Sequence, residues 1–222
     1  DGRTWLAQEA VGHDRVGELA SLPRAWPMPE RVMIANVAGA EALVRIVSAL
    51  APWRAVITEV HSAVIGGGVT NHYLLPERLG VDRWCALIGA WHHSGMPTVV
   101  VMAGTATTID SLDARGNFLG GLILPGIDLM LRSLAKGTAD LPFAAGQHTD
   151  FPRCTDDAIA SGVLEAQLGA IERARQRLGD GVACLVSGGN GERLLPHLSM
   201  PCRLLPNLPL EGLVRLALDD DQ

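Results

Sequence analysis

Two kinds of apolar pattern alternate along this chain, and together they predict its elements. Unbroken apolar runs occur at Arg31 to Asn36 (RVMIAN), Arg54 to Thr58, Val99 to Met102 and Gly181 to Ser187 (GVACLVS). Such runs are what strands buried on both faces show. Between them, apolar residues recur every three or four positions, the period of a helix with one buried face. Leu43, Ile46, Val47 and Leu50 mark a helix over Gly39 to Leu50. Val81, Cys85, Leu87, Ile88 and Trp91 mark a longer one that reaches about His93. Further helices are predicted over Ile127 to Lys136, from Thr155 to about Arg177, and over Leu210 to Leu218. Near the start, rough alternation over Thr4 to Val11 predicts an edge strand after an Asp1-Gly2 turn. Asp14 then caps a short helix that Pro23 ends. Strand–helix–strand alternation of this kind predicts a parallel α/β sheet.

The rest of the chain is organised around Thr98 to Gly126. After the Val99 to Met102 strand come the small and hydroxyl residues Gly104-Thr105-Ala106-Thr107-Thr108. A short strand, Ile109 to Leu112, a reversal at Asp113 to Asn117 and a third strand ending in Gly120-Gly121 follow, and Pro125-Gly126 leads into a helix. A turn of this composition lets backbone N–H groups and hydroxyls close on a phosphate chain without side-chain obstruction. An ordinary tight hairpin has the same letters. Gly66-Gly67-Gly68 reads as a loop, Gly137-Thr138-Ala139-Asp140-Leu141-Pro142 as another, and Ser187-Gly188-Gly189-Asn190 as a strand-to-helix turn. Asp82 and Arg83 fall near the start of the long helix, where a carboxylate is electrostatically favoured. An adjacent acid–base pair is equally at home on a solvated face. His13 reads as a loop residue and His92-His93 as an exposed helix end.

Composition narrows the function classes. With 222 residues, 48% of them hydrophobic, the chain can build one large core or two smaller ones. A net charge of −6 argues against nucleic acid or an anionic membrane as partner. Cys85, Cys154, Cys184 and Cys202 lie far apart without a CxxC or Cys/His spacing, which fits buried thiols in a reducing cytoplasm rather than disulfides or metal ligands. No apolar run approaches the roughly 20 residues of a membrane span, and the first residues do not read as a signal peptide. A cytoplasmic location is expected.

Four strings together resemble the type III pantothenate kinases, members of the actin-like superfamily that also holds acetate and sugar kinases. They are Gly104-Thr105-Ala106-Thr107-Thr108 with Asp110 and Gly120-Gly121-Leu122-Ile123-Leu124-Pro125-Gly126; Asn71-x-Tyr73-x-x-Pro76-Glu77-x-Leu79-Gly80-x-Asp82-Arg83-Trp84; Thr155 to Gly162; and Ser187-Gly188-Gly189-Asn190, with Ser and Asn where the family has Thr and Asp. The resemblance implies an α/β fold of two actin-like (ribonuclease H-like) domains with mixed sheets facing a cleft, divided here as residues 1–95 and 96–222. It implies ATP-dependent phosphorylation of pantothenate to 4′-phosphopantothenate, the first step of coenzyme A synthesis, by a cytoplasmic homodimer. Asp82 is then the proton acceptor, and Tyr73, Gly80, Val81, Asp82, Arg83 and Thr155 bind pantothenate. Thr155 also reads as the N-cap of its own helix. Gly104, Thr105, Thr108, Gly188 and Gly189 bind ATP, and Mg²⁺ travels with the nucleotide, so no residue is assigned as a metal ligand. The absence of a Gly-Lys-Ser/Thr string argues against a P-loop kinase.

The match departs from the family at two points. The family opens on a strand ending in Asp-x-Gly-Asn-Thr, the first phosphate loop, and this sequence starts after it, so the first domain is expected to lack its N-terminal strands. One phosphate turn positions a triphosphate poorly, so the chain as given is expected to bind pantothenate weakly and ATP hardly at all, and not to turn over. Two residues before Gly104 the family carries an Asp that helps hold K⁺ or NH₄⁺; here Met102 stands there, and the monovalent cation is doubtful. Two alternatives stay open: a non-catalytic regulatory or accessory homologue, and another small-molecule kinase of the superfamily.

Overall fold

A computed structural model describes residues 4–137 and 146–219. The Asp1-Gly2 turn and most of the 137–142 loop lie outside the described residues. The first elements are 3-10 turns over His13–Ser21 and a short helix α1 (Leu22–Ala25). Pro23 sits in the first turn of α1, where a missing N–H leaves nothing unsatisfied, so it starts a helix rather than ending one. Gly12, not Asp14, occupies the cap position before His13. The strand expected over Thr4 to Val11 does not form: alternation alone makes no ladder, and none of the described strands pairs with this stretch.

Strands β1 (Val32–Ile34) and β2 (Ile57–Glu59) pair in parallel, Met33 beside Thr58, with helix α2 (Ala40–Ala49) as crossover. β2 starts later than the apolar run, because Pro52 opens a 3-10 turn over Ala51–Val56 that buries Trp53. Next come β3 (Ile65–Gly66) and β4 (Val69–Asn71), where a slack loop was expected. They form an antiparallel hairpin. Gly67 and Gly68 have φ of 53° and 75°, the consecutive positive values that a two-residue hairpin turn demands.

A 3-10 turn at Pro76–Arg78 leads into α3 (Val81–Ser94), then β5 (Thr98–Ala103), β6 (Ala106–Leu112) and β7 (Asn117–Pro125). Helices α4 (Ile127–Gly137) and α5 (Thr155–Leu178) follow, then β8 (Ala183–Ser187), α6 (Gly191–Leu194), β9 (Arg203–Leu204) and α7 (Leu208–Asp219). Seven strands form one mixed sheet in the order β3-β4-β7-β6-β5-β8-β9. β6 and β7 run longer than their apolar letters. Thr107 and Thr108 already pair with β5, and Gly120 and Gly121 pair with Ser111 and Asp110 rather than ending the strand. The irregularity this run needs is taken up as a register shift between Ser111 and Leu112.

Alternation along β5 divides the core between the two faces of this sheet. Val99, Val101 and Ala103 join Ile109 of β6 under α4 and α5. Val100 joins Leu112 and Phe118 under α3 and α7, with Trp84, Leu87 and Leu208 fully buried. A third, smaller cluster of Val60, Val81, Cys85 and Leu213 ties the β1–β2 unit to α3 and α7. The mixed α/β architecture is the one expected. Packing runs on across residues 95 and 96: β4 pairs in parallel with β7 (Asn71 beside Phe118), and α3 packs on β5, so the segment before residue 95 shares the large sheet and its core. Among the described residues no helix is long and apolar enough to cross a membrane.

Candidate active site

Helix α3 starts where Gly80 hands over to Val81, and its first turn carries the two charged residues. Asp82 is half-buried, and its Oδ1 accepts the backbone N–H of Arg83 at 2.9 Å. A Cβ on Gly80 would fall 2.7 Å from that oxygen, so glycine there leaves the carboxylate its place. Val81 directs its side chain into the cluster with Val60 and Cys85, so only its backbone can serve the site. Burial, with the charge of Asp82 added, pushes the Cys85 thiol up to about 12.

Arg83 turns inward. Its Nε and Nη2 donate to the two oxygens of Asp110 at 3.1 and 2.5 Å, a bidentate pair in which the side chains are 6% and 0% exposed. Burial alone would lower the guanidinium pKa, but the hydrogen bonds and charge of Asp110 lift it above its ordinary value. The same burial pushes the Asp110 carboxyl up, against the pull of Arg83. The guanidinium lies 5.8 Å from the centre of the Tyr73 ring and 5.9 Å from that of Phe118, and the two rings stack at 5.9 Å. Opposite Asp110 on β7 is Gly121. A Cβ there would fall 1.9 Å from Asp110 Oδ1 and 2.8 Å from Arg83 Nη2, so only glycine leaves room for the pair.

Tyr73 is held in reach by Asn71, which is 3% exposed. The Asn71 amide donates to the carbonyls of Ala63 (3.1 Å) and Pro76 (3.2 Å), and its Oδ1 accepts the Tyr73 N–H at 3.0 Å. One side chain thus fixes both ends of the loop that presents the tyrosine.

The expected nucleotide residues meet at the carboxyl ends of β5 and β8, which run in parallel with Met102 beside Ser187. In open α/β sheets ligands bind outside those ends. The turn after β5 is shorter than expected, Gly104-Thr105 alone, with the Gly104 N–H donating to Ala106 O at 3.0 Å. The turn after β8 is pressed against it: the Asn190 N–H donates to Ala103 O at 2.9 Å, and Asn190 Nδ2 reaches Gly104 O at 3.3 Å. Gly188, at φ 94°, passes so close that a Cβ would fall 2.5 Å from Ala103 O. Arg193 Nη1 joins Asp128 Oδ1 (2.8 Å) and Asn190 Oδ1 (3.0 Å) beside this turn. Thr108 is not in the turn. It is buried in β6 between the turn and the ion pair, with its Oγ1 3.5 Å from Asp110 Oδ2.

The structure therefore gathers Tyr73, Gly80, Asp82, Arg83 and Thr108 with Asp110 on one side of the sheet, beside the paired turns of Gly104, Thr105, Gly188 and Gly189. It does not bring Thr155 to them. Thr155 is the first residue of α5, exposed, in a hollow with Met130 and Ser133 under the opposite face. Cys154, not Thr155, holds the N-cap position, and at that helix start its thiol is exposed rather than buried as expected. The roles of Asp110, Gly121, Asn71 and Phe118 could not be assigned from spacing; the signal for Asp110 was a carboxylate inside an otherwise apolar and hydroxyl strand. Among the described residues no three His, Cys, Asp or Glu side chains converge as a metal cage.

Two glycine turns at adjacent parallel strand ends mark this as an α/β protein of the kind that binds ligands at the carboxyl ends of its strands. The sequence pattern of the type III pantothenate kinases matches residues 7–177, and the chain belongs to that family. It is 62% identical to the type III pantothenate kinase of Dechloromonas aromatica, over 98% of this chain and 92% of that one. To the protein of the same name from Aromatoleum aromaticum it is 44% identical, over 99% and 91%. Among solved structures it is similar in fold to a Baf family protein of Campylobacter jejuni described as a putative transcriptional activator, with a TM-score of 0.63 and 19% identity over 93% of this chain and 89% of the other.

Proposed function

We propose that this chain transfers the γ-phosphoryl group of ATP to the primary hydroxyl of pantothenate, giving 4′-phosphopantothenate and ADP. Family membership supports the reaction. The observation that carries the residue assignment is the placing of Asp82, the Tyr73–Arg83–Asp110 group and both glycine turns along one side of one sheet. The bond from the γ-phosphorus to the ADP oxygen breaks, a bond to the substrate oxygen forms, and the hydroxyl proton passes late to Asp82. Transfer of this kind runs through a loose transition state, so positioning and charge stabilisation dominate. Asp82 suits the role because its Oδ1 is held by the Arg83 N–H, leaving Oδ2 to receive the proton. Arg83 spends two of its five donors on Asp110 and is engaged by Tyr73 as well, so it offers pantothenate only the donors that remain. Tyr73, stacked on Phe118, forms the apolar wall, with the Gly80–Val81 backbone at its edge.

On the nucleotide side, Gly104 and Thr105 take the phosphates, Gly188 and Gly189 the adenosine end, and Thr108 backs the junction. Residues 1–95 then supply the pantothenate segment and 96–222 the nucleotide turns, even though their packing is continuous. A kinase of this family uses ATP with a divalent metal. Mg²⁺ takes few protein ligands and keeps water and phosphate oxygens, which fits a site without a carboxylate cage. The reading includes a cytoplasmic homodimer. Exposed Leu119 and Ile123 on β7 and Phe151 before α5 support a surface that a second copy covers. It also gives Thr155 a place: lying under the far face of its own sheet, it meets pantothenate on the partner copy. The net charge of −6 supports no nucleic-acid role.

The test is Asp82→Asn in the full-length protein. Its kcat is expected to fall by roughly 10²–10⁴, the worth of a positioned general base, with an unchanged thermal midpoint. Turnover of pantothenate near the wild-type rate would reduce Asp82 to a helix-start charge.

A further inference from the structure

Helix α5 presents an apolar stripe to the sheet, Val163, Leu164, Leu168, Ile171 and Ala174, and in its middle stands Gln167, wholly buried. A carboxamide in such a place costs stability unless its hydrogen bonds are made. Only half of them are. Nε2 donates to the carbonyl of Pro125 at 2.8 Å and lies 3.4 Å from the sulfur of Met130. Oε1 is buried without a partner. A methionine or leucine would fill the volume without stranding an acceptor, so core packing alone does not account for glutamine here.

What the amide holds is the last peptide of β7. Immediately after Pro125, the Gly126 N–H donates to Thr105 O at 2.8 Å, and a Cβ on Gly126 would fall 2.2 Å from Gly104 O and 2.6 Å from Thr105 O. The Pro125-Gly126 peptide is thus the backing against which the turn after β5 rests. The N–H of this peptide, on Gly126, is already taken by Thr105 O, so the Pro125 carbonyl is the group left for a second anchor.

We infer that Gln167 is a positioning residue for the nucleotide phosphates, acting through the Pro125-Gly126 peptide on the Gly104-Thr105 turn. The inference rests on the reading of that turn as the phosphate site. Removing the donor lets the peptide and the turn drift together, which loosens ATP and leaves the pantothenate side alone.

Steady-state kinetics on the full-length protein test this with three variants. Gln167→Met is expected to raise the KM for ATP about fivefold, the usual net worth of one hydrogen bond, with the KM for pantothenate and the thermal midpoint unmoved. Gln167→Glu reads the same bond through pH. A neutral buried acid donates O–H to the Pro125 carbonyl and an ionised one cannot, so its KM for ATP relative to wild type climbs with pH. Thr105→Glu sets a negative charge on the exposed turn and is expected to raise the KM for ATP strongly. If Gln167→Met leaves the KM for ATP unchanged, or moves both KM values together with the midpoint, Gln167 is a packing residue and the inference is wrong. Should that variant fail to fold, a pH-independent ratio for Gln167→Glu overturns the inference by itself. A Thr105→Glu enzyme with an unchanged KM for ATP would instead sink the phosphate assignment of the turn, and the inference with it.

Discussion

Met102 occupies β5 between Thr108 on one neighbouring strand and Ser187 on the other, and packs half-buried against the cluster of Val100 and Trp84. A thioether is a poor ligand for a hard cation, and the side chains paired with it offer hydroxyl oxygens alone. Ser187 Oγ is buried there without a partner. A carboxylate in place of Met102 would add a unit charge to a partly buried site, where Coulomb interactions reach several kcal/mol at an effective dielectric near ~20. The wild type is therefore expected to turn over almost independently of potassium, and Met102→Asp to acquire a saturable potassium requirement. Initial rates in Tris buffer against added potassium decide this; a strong, saturable requirement in the wild type would show that other oxygens hold the ion. At this scale the sequence could single out candidates that lie within one motif, such as Tyr73, Asp82, Gly104 and Gly188. It concealed what Arg83 does. Its partner Asp110 is 27 residues away on another element, and spacing carries no information about such a contact.

Elements with a sustained period were legible. α3, α5 and the buried strands β5 and β8 fall close to where the apolar letters put them. Those too short to show a period were not: β3 has two residues, β4 three and β9 two, and the hairpin between the first pair is specified by backbone conformation at two glycines. That hairpin leads straight into the loop that Asn71 organises, so the least legible part of the chain carries the tyrosine. Asn71→Ala removes three hydrogen bonds from a buried position, and a stability loss of roughly 1–3 kcal/mol is expected. The KM for pantothenate should rise while that for ATP stays, because both glycine turns hang from other strands. Thermal melts and paired KM measurements check it. An unchanged pantothenate KM would mean that Tyr73 is placed by its stacking on Phe118 alone.

For the whole molecule, alternation predicted α/β architecture correctly but a parallel sheet, where β5, β6 and β7 in fact run antiparallel, and the chain gave no sign that its earlier strands would join the later sheet. Parallel pairing of β4 with β7 leaves no trace in either strand's letters, since each reads the same whichever neighbour it takes. This pairing also bears on the order in which the chain folds. β5, β6 and β7 are joined by tight turns, and bringing them together closes only short loops. Docking β4 beside β7, or β8 beside β5, closes far longer ones, and loop-closure entropy delays such contacts. The three-stranded meander is thus expected to form first, with Asp110 in place before Arg83 arrives. In pulse-labelled refolding, amides within Thr107–Leu112 should gain protection ahead of the Thr70 amide, which donates to Gly116 O at 3.0 Å once β4 docks. Simultaneous protection would mean that the hairpin and meander assemble as one nucleus. Until that docking, the Asp110 carboxylate waits on a sheet that still lacks the segment bringing its guanidinium partner.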